Sequence, residues 1–293
     1  MRSKGFLAYG FIGALAFAQE AGPEFEAATI KPTNPAPGQP RLFGMKGGPG
    51  TKDPSLFTCD NCPLAMLFSE AYGLPVSRIS GPTWMNTQTY AIGARVSAGA
   101  RKDELPLMLR SLLIDRLKIE THREKKEMAA YDLLVAKGGS RLKLSASQPA
   151  PPASEKPIYA YGLDKDGYPN LPQDFKGMIG AGNGKLCYFY NGQTMNGFAD
   201  FLSSVAAKPI IDETGLTGKY NLDLRWQTGA SEDISSGVFT AGNAPIATPT
   251  RAADLAAALF EAVQSELGLR LESKKRLVEL LVIDHVERMP LDN

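Results

Sequence analysis

Thr194-Met195-Asn196-Gly197-Phe198-Ala199-Asp200-Phe201-Leu202-Ser203-Ser204-Val205, then Pro209-Ile210-Ile211-Asp212, then Lys219-Tyr220-Asn221-Leu222-Asp223-Leu224-Arg225-Trp226, changes from a helical to a strand period within one short stretch. Met195, Phe198, Ala199, Leu202 and Val205 share one helical face, and Thr194 stands where an N-cap hydroxyl is needed. Tyr220, Leu222, Leu224 and Trp226 alternate with polar residues, as a half-buried strand requires. Ile210-Ile211 between them reads as a short strand. The unit is a helix followed by two strands.

The same unit is read four times along the chain. In the first, Leu64, Leu67, Phe68 and Ala71 form the helical face, with Asp60 as cap, Pro63 in the first turn and Gly73 at the end. Arg78-Ile79-Ser80 and Thr89-Tyr90-Ala91-Ile92-Gly93-Ala94-Arg95-Val96 are its strands. In the second, Asp103 caps a helix carrying Leu105, Met108, Leu109, Leu112 and Leu113. Leu117-Lys118-Ile119-Glu120-Thr121 and Tyr131-Asp132-Leu133-Leu134-Val135-Ala136 follow. The fourth places Leu255, Leu259, Phe260, Val263 and Leu267 on a helix ended by Gly268. Leu269-Arg270-Leu271-Glu272 and Val278-Glu279-Leu280-Leu281-Val282-Ile283 are its strands, the second apolar on both faces and therefore central in a sheet. Strands at Ser55-Leu56-Phe57-Thr58 and Leu186-Cys187-Tyr188-Phe189-Tyr190 precede the first and third units.

These readings predict an α+β fold of two similar halves, each built from two αββ units, with helices packed on one face of mainly antiparallel sheets. The halves are residues 19–144 and 158–293. Residues 145–157 join them as a Pro/Ala-rich linker too poor in apolar side chains to pack. Residues 33–54 and 228–249, rich in Gly, Pro and Ser, are expected to be mobile loops.

Residues 1–18 read as a signal peptide. Arg2 and Lys4 precede the apolar run Phe6-Leu7-Ala8-Tyr9-Gly10-Phe11-Ile12-Gly13-Ala14-Leu15, and Ala16-Phe17-Ala18 puts small residues where a signal peptidase reads them. The expected product begins at Gln19, has no transmembrane segment, and is secreted or periplasmic, because no other stretch approaches the ~18 uninterrupted apolar residues of a spanning helix. Of the 293 residues 43% are hydrophobic, enough for a sizeable core. A formal net charge of +1 supplies no overall field toward nucleic acid or an anionic membrane, and no nucleic-acid partner is expected.

Cys59, Cys62 and Cys187 are the three cysteines. Either Cys59 pairs with Cys62 and Cys187 is buried, or one of the first two reaches Cys187. Cys59-Asp60-Asn61-Cys62-Pro63 lies where a strand gives way to a helix, the place of a thiol-disulfide exchange motif, in which a helix N-terminus lowers the first thiol's pKa. The order of the following elements does not match a thioredoxin, so a structural disulfide is the favoured reading. One CxxC is a poor zinc site, since His122 and His285 are the only histidines and neither has a second ligand at helical spacing. No nucleophile elbow, phosphate-binding loop or zinc-protease motif occurs, and no cofactor or metal is expected. Asp212-Glu213-Thr214-Gly215 differs from an aspartic-protease motif by the inserted Glu213. A turn is favoured, with Asp212 bonding its backbone and Gly215 and Gly218 at positive φ.

Tyr159, Tyr161, Tyr168 and Phe175 cluster with Pro157, Pro169 and Pro172 just after the linker. Such side chains either pack a first strand or form a rim that holds a sugar or an extended peptide. If the protein works by binding, the surface is expected where the halves meet, beside residues 159–175.

Phe25-Glu26-Ala27-Ala28-Thr29-Ile30-Lys31-Pro32, Met108-Leu109-Arg110-Ser111-Leu112-Leu113-Ile114-Asp115-Arg116-Leu117, Tyr131-Asp132-Leu133-Leu134-Val135-Ala136-Lys137-Gly138-Gly139, Asp212-Glu213-Thr214-Gly215-Leu216-Thr217-Gly218-Lys219-Tyr220 and Val282-Ile283-Asp284-His285-Val286-Glu287 resemble segments of a secreted soil-acidobacterial family of unknown function. In that family the domain is sometimes joined to a membrane metallopeptidase of the antibiotic-sensor type. The resemblance implies an extracytoplasmic sensing or binding role and carries over no catalytic residue. The αββ unit is also similar to protein-contact modules of secretins and TonB-dependent receptors, at the level of fold alone. The expected function is non-enzymatic binding or sensing of a peptide, an envelope protein or a cell-wall fragment. Thiol-disulfide exchange at Cys59 and Cys62 is the alternative.

Overall fold

The computed structural model describes residues 22–34, 44–145, 162–171, 176–180, 184–228, 238–239 and 249–291. β1 (Ala27–Thr33) and β2 (Gly44–Gly47) precede β3 (Leu56–Pro63), which passes directly into α1 (Leu64–Tyr72). β4 (Ile79–Ser80), β5 (Thr89–Arg95), α2 (Leu105–Leu117) and β6 (Glu120–Val135) complete the first run. β7 (Lys143–Leu144) and β8 (Gly177–Gly180) lead to β9 (Lys185–Thr194), α3 (Met195–Ala206), β10 (Ile210–Asp212) and β11 (Lys219–Gln227). β12 (Val238–Phe239), α4 (Pro249–Leu267) and β13 (Leu269–His285) follow. The fold is α+β, with four helices and three mostly antiparallel sheets among the described residues.

Two of the sheets are local, in the orders β1-β5-β3-β2 and β12-β8-β9-β11-β7. The third, β10-β6-β13-β4, draws strands from both ends of the chain. β6 and β13 run antiparallel from Leu269 opposite Val135 to His285 opposite Glu120. On their outer edges β10 lies parallel to β6 and β4 lies parallel to β13. β7 also crosses over, since Leu144 pairs with Tyr220 on β11. The two runs of elements therefore do not close on themselves.

That central ribbon differs from the sequence expectation. Leu117-Thr121 and Tyr131-Ala136 were expected as two strands, as were Leu269-Glu272 and Val278-Ile283. Each pair is joined into one strand instead, of 16 and 17 residues, and Leu117, expected to open a strand, is the last residue of α2 with Lys118 as its C-cap. Residues 122–127 and 273–276 are charged or polar on both faces, so the alternation that marks a strand is missing there. Main-chain pairing and cross-strand ion pairs sustain the ribbon through the stretch: Arg123 meets Glu279, and Lys275 Nζ lies 3.7 Å from Glu127.

Burial follows the crossing. The N-terminal core gathers Phe57, Leu64, Leu67, Phe68, Tyr90, Leu109, Leu113 and Leu117, and it also takes Leu281 and Ile283 from β13. The C-terminal core holds Tyr188, Phe198, Phe201, Leu202, Leu222, Leu224, Leu259 and Val263, and it takes Leu133 from β6. Tyr188 and Phe201 stack with centroids 3.8 Å apart. Each fully buried leucine or phenylalanine contributes about 1.5–3 kcal/mol, so the exchanged residues matter to both cores.

Helix ends follow local chemistry. Gly197 N donates to Thr194 Oγ1 at 3.2 Å, the expected cap of α3, and Gly73 and Gly268 end α1 and α4 in the left-handed region. Asp60 is not a cap: it lies on β3, which continues to Pro63, itself the N-cap. Asp103 belongs instead to a 3-10 turn, Lys102–Glu104, ahead of α2. Within the two expected loops, residues 44–47 and 238–239 form strands. Residues 1–18 and 146–157, read as a signal peptide and most of a linker, lie outside the described residues. Among the described residues no helix is long and apolar enough to cross a membrane.

Candidate functional site

β3 carries one more residue than β5 between Cys59, opposite Ile92, and Cys62, opposite Tyr90. The excess forms a bulge at Asn61, whose φ of 50° suits an Asn side chain. The bulge brings Cys59 and Cys62 into a disulfide, and both cysteines are fully buried in the N-terminal core. Cys187 is buried on β9, so of the two pairings left open the first is formed. A nucleophilic thiol must meet its substrate at the surface, and neither sulfur does.

Of the four aromatics, Tyr168 is described, while Tyr159, Tyr161 and Phe175 lie outside the described residues. Leu186 and Tyr188 on β9, and Leu222 and Leu224 on β11, point to the helices and the core. Cys187 and Phe189 therefore face the opposite side of the sheet, and there Tyr168 and Leu171 pack over them. Asp164 holds the turn that delivers Tyr168: its carboxylate accepts from the N–H groups of Asp166 and Tyr168, each at 2.9 Å, and from Arg225 Nη1 at 2.6 Å. These bonds, the Tyr168 N–H first, keep the Asp164 carboxyl below the usual range. Lys185 Nζ and Arg225 Cζ lie 5.3 and 5.7 Å from the Tyr168 ring centroid. The result is an aromatic surface edged by cations on a helix-free sheet face. Residues 19–144 and 158–293 meet along the β6–β13 ribbon, at the β7–β11 pairing, and where the 3-10 turn Val76–Arg78 contacts α3.

Asp132 on β6, not singled out in the sequence, is 1% exposed. Arg276 of β13 grips its carboxylate through Nε at 2.8 Å and Nη2 at 2.6 Å, and Lys274 Nζ stands 3.1 Å away. Arg276 Nη2 also reaches Glu213 at 3.0 Å. The Arg276 hydrogen bonds hold Asp132 below the ordinary carboxylate range despite its burial. A signal for the site existed: Asp132 interrupts the apolar run Tyr131 to Ala136.

The remaining polar candidates sit apart. His122 Nδ1 contacts Asp284 at 2.8 Å, which raises the His122 pKa, and His285 Nε2 lies 3.3 Å from Glu287. Both histidines are exposed. Asp212 Oδ1 accepts from Thr214 N at 3.0 Å and from Thr214 Oγ1 at 2.7 Å, the expected turn. Gly215 has φ 69° as expected, but Gly218 does not take a positive φ. It is instead a point of close approach, where a Cβ would stand 2.7 Å from Leu144 Cδ2. Among the described residues no three His, Cys, Asp or Glu side chains are placed to hold a metal ion.

No curated protein and no solved structure matches the chain. A family model described as Protein of unknown function (DUF3738) matches residues 65–286. The matched span runs from the first turn of α1 to just beyond β13 and so takes in the helices and the whole ribbon, while β1 to β3, with Phe57, Cys59 and Cys62 of the N-terminal core, precede it. On that match the chain belongs to the DUF3738 family.

Proposed function

We propose that this protein is a secreted or periplasmic, non-catalytic binding or sensing protein, whose ligand is a peptide, an envelope protein or a cell-wall fragment. The observation that carries the reading is Tyr168, half-buried on the helix-free face of the β9–β11 sheet between Lys185 and Arg225. Aromatic rings supply contact area at low entropic cost, and Lys185 suits the carboxylates of peptides and peptidoglycan stems, while Arg225, paired with Asp164 and Asp223, holds the Tyr168 turn in place. The export pattern in residues 1–18 supports the compartment. Thiol-disulfide exchange is the weaker reading, because the Cys59–Cys62 sulfurs are enclosed.

The test is co-sedimentation of the mature protein with purified peptidoglycan sacculi, together with calorimetric titration using a soluble muropeptide. Binding that falls about tenfold in Tyr168→Leu, with the melting temperature held within a few degrees, supports the proposal. Leucine keeps the packing over Cys187 and removes the ring. Absence of binding to both probes, or affinity unchanged in Tyr168→Leu, would overturn it.

A further inference from the structure

Beyond β6 the chain makes a turn, Ala136-Lys137-Gly138-Gly139, closed by a hydrogen bond from Gly139 N to Ala136 O at 2.9 Å. The turn folds back over the C-terminus of α4. A cavity of about 550 Å³ lies there, lined by Ala136, Lys137, the two glycines, Arg141, Gln264, Gly268 and Arg270. The volume falls in the range of small-molecule sites.

Three cations and no carboxylate contribute to this lining. A helix C-terminus ordinarily presents free carbonyls that repel anions, but here those of Ser265 and Leu267, and of Gly268 just beyond the helix, are occupied. Ser265 O accepts from the Arg141 guanidinium, Leu267 O from Arg141 N at 2.9 Å, and Gly268 O from Ala136 N at 2.9 Å. Glu272 takes one side of Arg270, through Nη1 at 2.6 Å, and is itself shared with Lys274 at 3.4 Å. Lys137 is exposed and makes no ion pair among the described residues. The excess charge in the cavity is therefore positive.

The lining also has an apolar part. Ala136, the glycine backbone, and the aliphatic stems of Lys137, Arg141 and Arg270 can cover a hydrocarbon surface while the charged heads stay at the rim. The main-chain bonds from Ala136 and Arg141 tie the turn to the helix end, and only glycine fits at 268, where φ is 66° and a Cβ would stand 2.2 Å from Gly139 O.

We propose that this cavity binds a small organic anion, its apolar body against Ala136 and the arginine stems and its phosphate or carboxylate head on Lys137 and Arg270. The site is separate from the Tyr168 surface, and neither depends on the other.

Isothermal titration with phenyl phosphate, benzoate and phenol tests it on the full mature chain. The two anions should bind with Kd of about 1 mM, given their size, and phenol should not. Comparing phenyl phosphate with benzoate shows which head group is preferred. Lys137→Gln, at an exposed position, should weaken anion binding about tenfold without moving the melting temperature. Arg270→Gln should do the same, leaving Glu272 to Lys274, while Tyr168→Leu should leave anion binding unchanged. No saturable heat from either anion, phenol bound equally well, or unchanged affinity in both cavity variants would overturn the proposal.

Discussion

The carboxylate of Asp132 on β6 and the guanidinium of Arg276 on β13 meet through two hydrogen bonds, at 2.8 and 2.6 Å, although 144 residues separate them. Asp132 is nearly inaccessible, whereas Arg276 and Lys274 reach it from partly exposed positions. The pair fixes the ribbon's long register at the point where β10 joins it.

Replacing Asp132 by Asn should therefore destabilise the fold by about 2–4 kcal/mol, since charge-assisted bonds to a buried acceptor contribute about 1.5–3 kcal/mol each and are not additive. Because the folded-state pKa is depressed, this stability is present above the ordinary carboxylate pKa of about 3.9 and is lost as pH falls through the lower folded value. Urea unfolding from neutral to acid pH should show a smaller acid-side loss in the variant. Equal slopes in the two proteins would refute the assignment.

Tyr90 is enclosed in the N-terminal core and donates its hydroxyl to Arg288 O at 2.9 Å. Burial is the main cause that pushes its pKa up to about 12, with Arg288 opposing. The neutral form is favoured in the fold, so stability is intact below the unfolded tyrosine pKa of about 10 and declines as pH rises toward 12. In a phenolate absorbance titration, Tyr90→Phe should remove amplitude only from the late part of the curve. Early loss of amplitude would show that the ring is accessible.

The enclosed Cys59–Cys62 disulfide should not accelerate insulin reduction by dithiothreitol. Its loop is short, so chain entropy gives it only about 2 kcal/mol, and Cys59→Ala with Cys62→Ala should lower stability by about that amount plus lost packing. A robust reductase rate that disappears in Cys59→Ser would restore the redox reading.

The helices were legible because packing and local chemistry agree on them: Thr194 both caps α3 and precedes its apolar face, and Gly73 and Gly268 supply the required left-handed ends. The strands were legible where one side meets a core, as in β11, whose inward residues are Tyr220, Leu222, Leu224 and Trp226. The ribbon was not. From Arg123 to Glu127 and from Ser273 to Lys275 no periodic apolar signal exists, because both faces meet water and the pairing partner is far away in sequence. For the same reason the Asp132 site was hidden: its partners come from segments that read as connections. Tyr168 was singled out from its aromatic and proline neighbours, but its position over Cys187 depends on the Asp164 turn and on Arg225 from β11.

Leu281 and Ile283 complete a core whose first residues, from Ile30 to Phe68, lie more than two hundred positions earlier. A ribosome makes a chain from its N-terminus, so that first core must wait, open on one side, until β13 has been synthesised. Both cores are then sealed by the same event, the zipping of β13 onto β6 and β4. Contacts this distant in sequence slow folding and leave apolar surface exposed in the interim. A nascent or truncated chain ending before β13 should expose the apolar face that Leu281 and Ile283 cover, and the two cores should melt as one cooperative unit.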